Sequence, residues 1–176
     1  MQAIAEYFRG HSTLHVDCVL SNNPRAFVLE RAKILNIASF TFTRAEFNQS
    51  GMVRDILIKR KIEFIVLAGF MWLVPAYLIE LFPRRIVNIH PALLPAYGGK
   101  GMYGSFVHEA VIENKEEESG ITIHYVNEQY DEGNIIFQAK CPVQASDTPE
   151  TLAERIHQLE HKYYPEIIEK ILLQSL

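Results

Sequence analysis

The chain has 176 residues, 48% of them hydrophobic and 22% charged, which is material for one packed domain and excludes a disordered chain. Its 17 Lys and Arg against 21 Asp and Glu leave a formal net charge of -4, which argues against nucleic-acid binding by phosphate neutralisation. Two cysteines, Cys18 and Cys141, exclude a disulfide scaffold or a four-thiolate zinc site. With no charged-then-apolar leader, the chain reads as a reduced, cytoplasmic protein.

The chain opens in an apolar-periodic stretch, Met1 to Phe8, with no capping residue and no strand ahead of it. Val16 to Leu20 is β-rich and stops at the turn cluster Ser21-Asn22-Asn23-Pro24. Residues 25–36 carry Val28, Ala32 and Leu35 at helical spacing. Ser39 to Phe42 alternates as a short strand, and residues 45–60 predict a helix with Met52, Ile56 and Leu57 on one face. The uncharged run Phe64 to Ile79 falls short of the roughly 20 residues that cross a bilayer, and Gly69 and Pro75 interrupt it. It therefore reads as a buried strand, FIVLAG, a turn, and a helix starting at Pro75. Arg85 to His90 is a further strand, and Ser105 to Ile112 is helical. Gly120 to Val126 alternates as a strand, and Ile135 to Val143 pairs with it. After an N-cap at Asp147 or Thr148, with Pro149 at the first helical position, a long helix runs to about Leu173. Strands alternating with helices predict a single-domain, doubly wound α/β fold over residues 1–176 with a mostly parallel sheet.

Chemistry concentrates at Asn88-Ile89-His90-Pro91. Alternation puts Asn88 and His90 on one side of a strand, at its carboxyl end, where open α/β sheets bind ligands. An amide donor beside an imidazole suits stabilising an oxyanion and passing a proton. Taken alone, the pattern equally describes a histidine that satisfies a loop carbonyl. Asp131-Glu132-Gly133 brings a carboxylate to another strand end, and a carboxylate near an imidazole favours the protonated ring. Asp-x-Gly by itself is a turn signature. His157 and His161 stand one turn apart, but Glu160 does not follow the first of them as it does in zincin helices, and no third ligand offers itself. No metal is expected.

The segments AGFM (68–71), NIHPALLPAYGGKGMYG (88–104), HEAV (108–111), GITIHYVNEQYDEG (120–133) and EHKYYP (160–165) resemble the phosphoribosylglycinamide formyltransferases, in the same order over nearly the whole chain. The resemblance implies a Rossmann-like formyltransferase fold. It also implies transfer of a formyl group from 10-formyltetrahydrofolate, as co-substrate, to the amine of glycinamide ribonucleotide in purine biosynthesis, with no metal, nucleic-acid or membrane partner. The chain would act as a monomer or homodimer. Carried over by position, Asn88, His90 and Asp131 match the catalytic trio. Asn88 and His90 would stabilise the oxyanion, and Asp131 would keep His90 protonated as the proton donor. The folate pocket maps onto Met71, Trp72, Leu73 and Val74, onto Asn88, and onto Asn127, Glu128, Gln129, Tyr130 and Asp131. Trp72 stands where a basic residue is often found. Arg44 is the nearest match to a folate-contacting arginine. Glu160, with His157 one turn before it, matches the residues that meet the glycinamide amine.

Relatives in that family begin with a strand and a phosphate-holding turn, whereas here Gln2-Ala3-Ile4 already matches the helix that follows. The expectation is a chain lacking that strand and loop, with VDCVL and FIVLAG left about 10 Å apart, twice the usual strand spacing. Such a chain would bind the ribonucleotide phosphate poorly. Alternatives are a formyltetrahydrofolate deformylase-like hydrolase using water as acceptor, and an inactive folate-binding remnant. The methionyl-tRNA formyltransferases share the core but need an added C-terminal domain and a basic face.

Overall fold

The structure is a computed structural model and describes residues 1–49 and 51–174. It divides into two compact units, Met1–Glu63 and Phe64 onward.

The first unit begins with helix α1 (Gln2–Tyr7), followed by strand β1 (Cys18–Ser21), helix α2 (Phe27–Ile34) and strand β2 (Ala38–Thr41). β1 and β2 pair in parallel from Cys18↔Ala38 to Ser21↔Thr41. The helix expected over 45–60 is two helices, α3 (Arg44–Asn48) and α4 (Met52–Lys59). Thr43 and Glu46 form a reciprocal capping box that starts α3. Gly51, at φ -101° and ψ -104°, is not helical and caps α4, so the shared periodicity was no guarantee of continuity. Val19, Ala32, Phe42, Phe47, Val53 and Leu57 are buried in this unit. Arg60 of the loop after α4 holds Asp17 by a two-pronged ion pair and lies over the Phe40 ring.

The second unit carries strand β3 (Ile65–Leu67), helix α5 (Ala76–Leu81), strand β4 (Ile86–His90), helix α6 (Ser105–Glu113), strands β5 (Glu118–Tyr125) and β6 (Ile135–Pro142), and helix α7 (Pro149–Gln174). Pro75 is the N-cap of α5, not its first helical residue. The strands form one sheet in the order β3-β4-β5-β6, separate in hydrogen bonding from the β1-β2 pair. The α/β alternation is as expected, but only β3 and β4 pair in parallel here, while β4-β5 and β5-β6 are antiparallel. β3 reaches β4 through a helix, as a parallel crossover requires, and the segment between β5 and β6 is too short for one, whereas β4 and β5 run antiparallel although α6 lies between them. Six consecutive residues of β5 are buried, as expected of a strand covered on both faces.

α7 starts as the sequence suggests, with Thr148 Oγ1 accepting from the Thr151 N–H at 3.3 Å. Asp147, beside the cap, is paired with Arg155 at 2.7 Å. Leu152, Ile156, Tyr164 and Ile168 form the buried stripe of α7. The Tyr164 hydroxyl, within that stripe, donates to the Leu67 carbonyl at 2.7 Å and contacts that of Val87 at 3.2 Å. One side chain thus ties α7 to β3 and β4 immediately before Asn88.

Candidate active site

β4 delivers Asn88 and His90 to one face two residues apart. Antiparallel β5 sets His124 opposite Asn88 and Thr122 opposite His90, so four polar side chains share that face in an otherwise apolar sheet. His90, Thr122 and His124 are all buried, at 3%, 0% and 2% exposure. The turn after β5 returns Asp131 to them. Its residue stands at φ 57°, a left-handed conformation that Asp tolerates better than most.

Asp131 lies between the two imidazoles. One carboxylate oxygen is 3.5 Å from His90 Nδ1 and the other 3.6 Å from His124 Nε2. The Gly99 N–H donates to the first oxygen at 3.0 Å. Burial alone would raise this carboxyl, but the His124 ring, the His90 ring and the Gly99 N–H together hold it below the usual carboxylate range. His124 Nε2 also meets Asn88 Nδ2 at 3.2 Å, and its Nδ1 lies 2.9 Å from the Tyr125 carbonyl. Since a carbonyl only accepts, the Tyr125 contact places a proton on Nδ1.

His90 Nε2 is 2.7 Å from the Tyr97 carbonyl, so the proton is on that nitrogen and Nδ1 faces Asp131. This histidine satisfies a loop carbonyl and also faces the carboxylate. The expected charge state does not hold. Burial lowers the His90 pKa by more than Asp131 and the Tyr97 carbonyl raise it, with His124 also opposing the cation. The resting ring is neutral near neutral pH. A carboxylate at 3.5 Å lacks the close hydrogen bond needed to offset desolvation of so buried a cation.

Thr122 organises the backbone after His90. Its hydroxyl donates to the Ala92 carbonyl at 2.7 Å and accepts from Leu94 N–H at 3.0 Å and Gln138 Nε2 at 2.9 Å. A cleft of about 390 Å³ opens beside Asp131, lined by Leu94, Pro95, Gly98, Gly99, Tyr130 and Ile135 among others. The segment Met71–Val74 meets the loop 127–131 directly, because the Leu73 N–H donates to the Tyr130 hydroxyl at 3.1 Å. Met71 and Leu73 are exposed, Val74 is buried, and Trp72 stands edge-on to Phe70. Asn127 Oδ1 accepts from the Gln129 N–H, which fixes the start of that loop, and Glu128 lies between them.

On α7, Glu160 sits one turn before Tyr164, and burial raises its carboxyl while nearby His157 opposes the rise. His108 of α6 is buried, and burial, helped by the nearby His157 and His90 rings, lowers its pKa. Arg44 is the first residue of α3 in the first unit. Among the described residues, no group of three or more His, Cys, Asp or Glu side chains is arranged to hold a metal ion.

Comparison with known proteins decides the family. The formyl transferase family model matches residues 1–168. A Bacillus subtilis phosphoribosylglycinamide formyltransferase is 37% identical over 158 residues, covering 88% of this chain and 78% of its own. The chain belongs to the formyl transferase family, on its phosphoribosylglycinamide formyltransferase branch. The crystal structure of the Bacillus halodurans phosphoribosylglycinamide formyltransferase has a TM-score of 0.89 at 34% identity, covering 99% of this chain and 90% of that one. A chloroplastic Arabidopsis thaliana phosphoribosylglycinamide formyltransferase is 54% identical over 114 residues, 65% of this chain and 39% of its own. The chain spans 39% and 53% of the length of two such plant relatives.

Sequence reasoning missed three members of the site. His124 left a trace, as a polar residue two places after Thr122 in an apolar strand, which puts both on one face. The Gly99 N–H and the Tyr97 carbonyl are main-chain groups, and only the glycine-rich character of the loop hinted at them. Among the described residues, no helix is long and apolar enough to cross a membrane.

Proposed function

We propose that this chain transfers the formyl group of 10-formyltetrahydrofolate to the amino group of glycinamide ribonucleotide, with Asn88, His90 and Asp131 as the catalytic residues. The observation that carries this reading is the convergence of Asn88, His90 and Asp131, the last of which lines an open cleft, in a member of this family. Residues 1–176 are taken as one formyltransferase domain, since the family match runs through both compact units.

The amine attacks the formyl carbon, and negative charge develops on the formyl oxygen. Asn88 donates to that oxygen, in the orientation that His124 imposes on its amide. Such a donor is typically worth about 3 kcal/mol of barrier. Neutral His90 presents the Nδ1 lone pair, takes a proton released by the attacking amine, and returns it to folate N10 as that nitrogen leaves. Asp131, kept ionised, steadies the imidazolium during that step. This replaces a resting imidazolium by a transient one. Met71, Trp72, Leu73 and Val74, facing Asn127 to Asp131, would hold the flat pterin by apolar contact and main-chain donors. Glu160 and His157 would receive the glycinamide amine. A cytoplasmic location and a monomer or homodimer complete the proposal.

The test is formyl transfer from 10-formyltetrahydrofolate, followed as tetrahydrofolate and formylated ribonucleotide. His90→Ala and Asn88→Ala should each lower kcat about a hundredfold or more. Unchanged turnover in His90→Ala would overturn its assignment, and formate release without any amine acceptor would identify a hydrolase instead.

A further inference from the structure

We propose that Tyr97, fastened by its phenol to Glu116, is a positioning residue that sets the orientation and tautomer of His90 through its own main-chain carbonyl. The inference rests on the catalytic reading of His90 above. Three observations carry it. The Tyr97 carbonyl takes the Nε2 proton at 2.7 Å, which leaves Nδ1 as the only ring nitrogen able to accept. Tyr97 adopts φ 57°, a conformation uncommon for an aromatic residue and maintained only when surrounding contacts over-determine it. The contact that supplies this is the Tyr97 hydroxyl, which donates to Glu116 Oε1 at 2.6 Å across the chain.

The next two residues extend the same device. At Gly98 a Cβ would come within 2.5 Å of Leu94 Cδ2 and 3.4 Å of Asp131 Cβ, so the loop lies tight against the catalytic carboxylate. Gly99 then donates its N–H to Asp131. Three consecutive residues thus address both members of the proton-transferring pair, and the phenol anchors them at one end. Glu116 pushes the Tyr97 hydroxyl up to about 12, so it remains a donor throughout the neutral range. Asn114 also contacts this hydroxyl. The titratable groups facing His90 are Asp131 from the turn after β5, His124 of β5 and His108 of α6. None of them contacts Nε2, so the carbonyl is its sole fixed partner among the described residues.

The decisive measurement is the ¹⁵N shift pair of the His90 imidazole in the intact chain, read alongside kcat and KM. In the wild type Nε2 should carry the proton at neutral pH. Tyr97→Phe and Glu116→Leu should mix the tautomers, lower kcat about tenfold, the worth of one hydrogen bond, and leave KM for glycinamide ribonucleotide within about twofold. Glu116→Gln keeps an acceptor for the phenol and should behave as wild type. A wild-type ring protonated at Nδ1, or a Tyr97→Phe variant with unchanged tautomer, would overturn the proposal. Tautomer mixing in the variants with no formyl transfer by any of the proteins would support the positioning and refute the proposed function alone.

Discussion

Replacing Thr122 by Val tests whether the segment after His90 is held in place by one hydroxyl. The two side chains are nearly isosteric, so the change leaves no cavity and removes only hydrogen bonds. Thr122 is fully buried, as is Ala92, and Leu94 is 5% exposed, so water cannot replace the lost partner. The Ala92 carbonyl and the Leu94 N–H would both be left without their partner. Each orphaned buried group costs about 1–3 kcal/mol, so the variant should lose about 4 kcal/mol. Gln138 Nε2 keeps its second bond, to the Leu94 carbonyl at 3.0 Å, and adds little to the loss. With a urea m-value of about 2 kcal/mol/M, the unfolding midpoint should fall by about 2 M with m unchanged. Trp72 is the single tryptophan and belongs to the unit that holds the site, so its fluorescence reports the transition. Thr122→Ser keeps the hydroxyl and should lose only about 1 kcal/mol for its methyl group. A Thr122→Val midpoint within about 0.3 M of wild type, roughly 0.6 kcal/mol, would refute the reasoning.

Two further changes probe the same face. Gly133→Ala should destabilise the chain by about 1–3 kcal/mol, because its Cβ would fall 1.6 Å from the Tyr125 carbonyl oxygen, a backbone atom that no rotamer change relieves. That oxygen also fixes His124, so urea melts should be accompanied by a His124 imidazole whose Nδ1 proton exchanges faster. Asp131→Asn removes the charge that partly offsets the burial of His90, so the His90 pKa should fall further below its ordinary value of 6.5. The sign follows from the cation losing its neighbouring anion. In an NMR titration the ring of the variant should take up its proton at a lower pH than in wild type, and an upward shift would contradict the burial argument.

The sequence by itself determined the alternation of strands and helices and the start of α7 at Thr148-Pro149, and it singled out Asn88, His90 and Asp131 as candidates. These follow from local periodicity, capping chemistry and motif order, which need no knowledge of distant residues. Tertiary structure decided what periodicity cannot encode. The stripe across residues 45–60 fits one helix, yet Gly51 divides it, because a side-chain pattern does not report the backbone angle of a single glycine. Asp131 comes near His90 as expected, but the charge on the ring is a balance of burial against a contact at 3.5 Å, and both terms exist only once the chain has folded. His124 acquires its role only when antiparallel pairing sets it opposite Asn88. The Tyr97 carbonyl and the Gly99 N–H belong to the backbone that every residue shares, so only their position in space makes them part of the site.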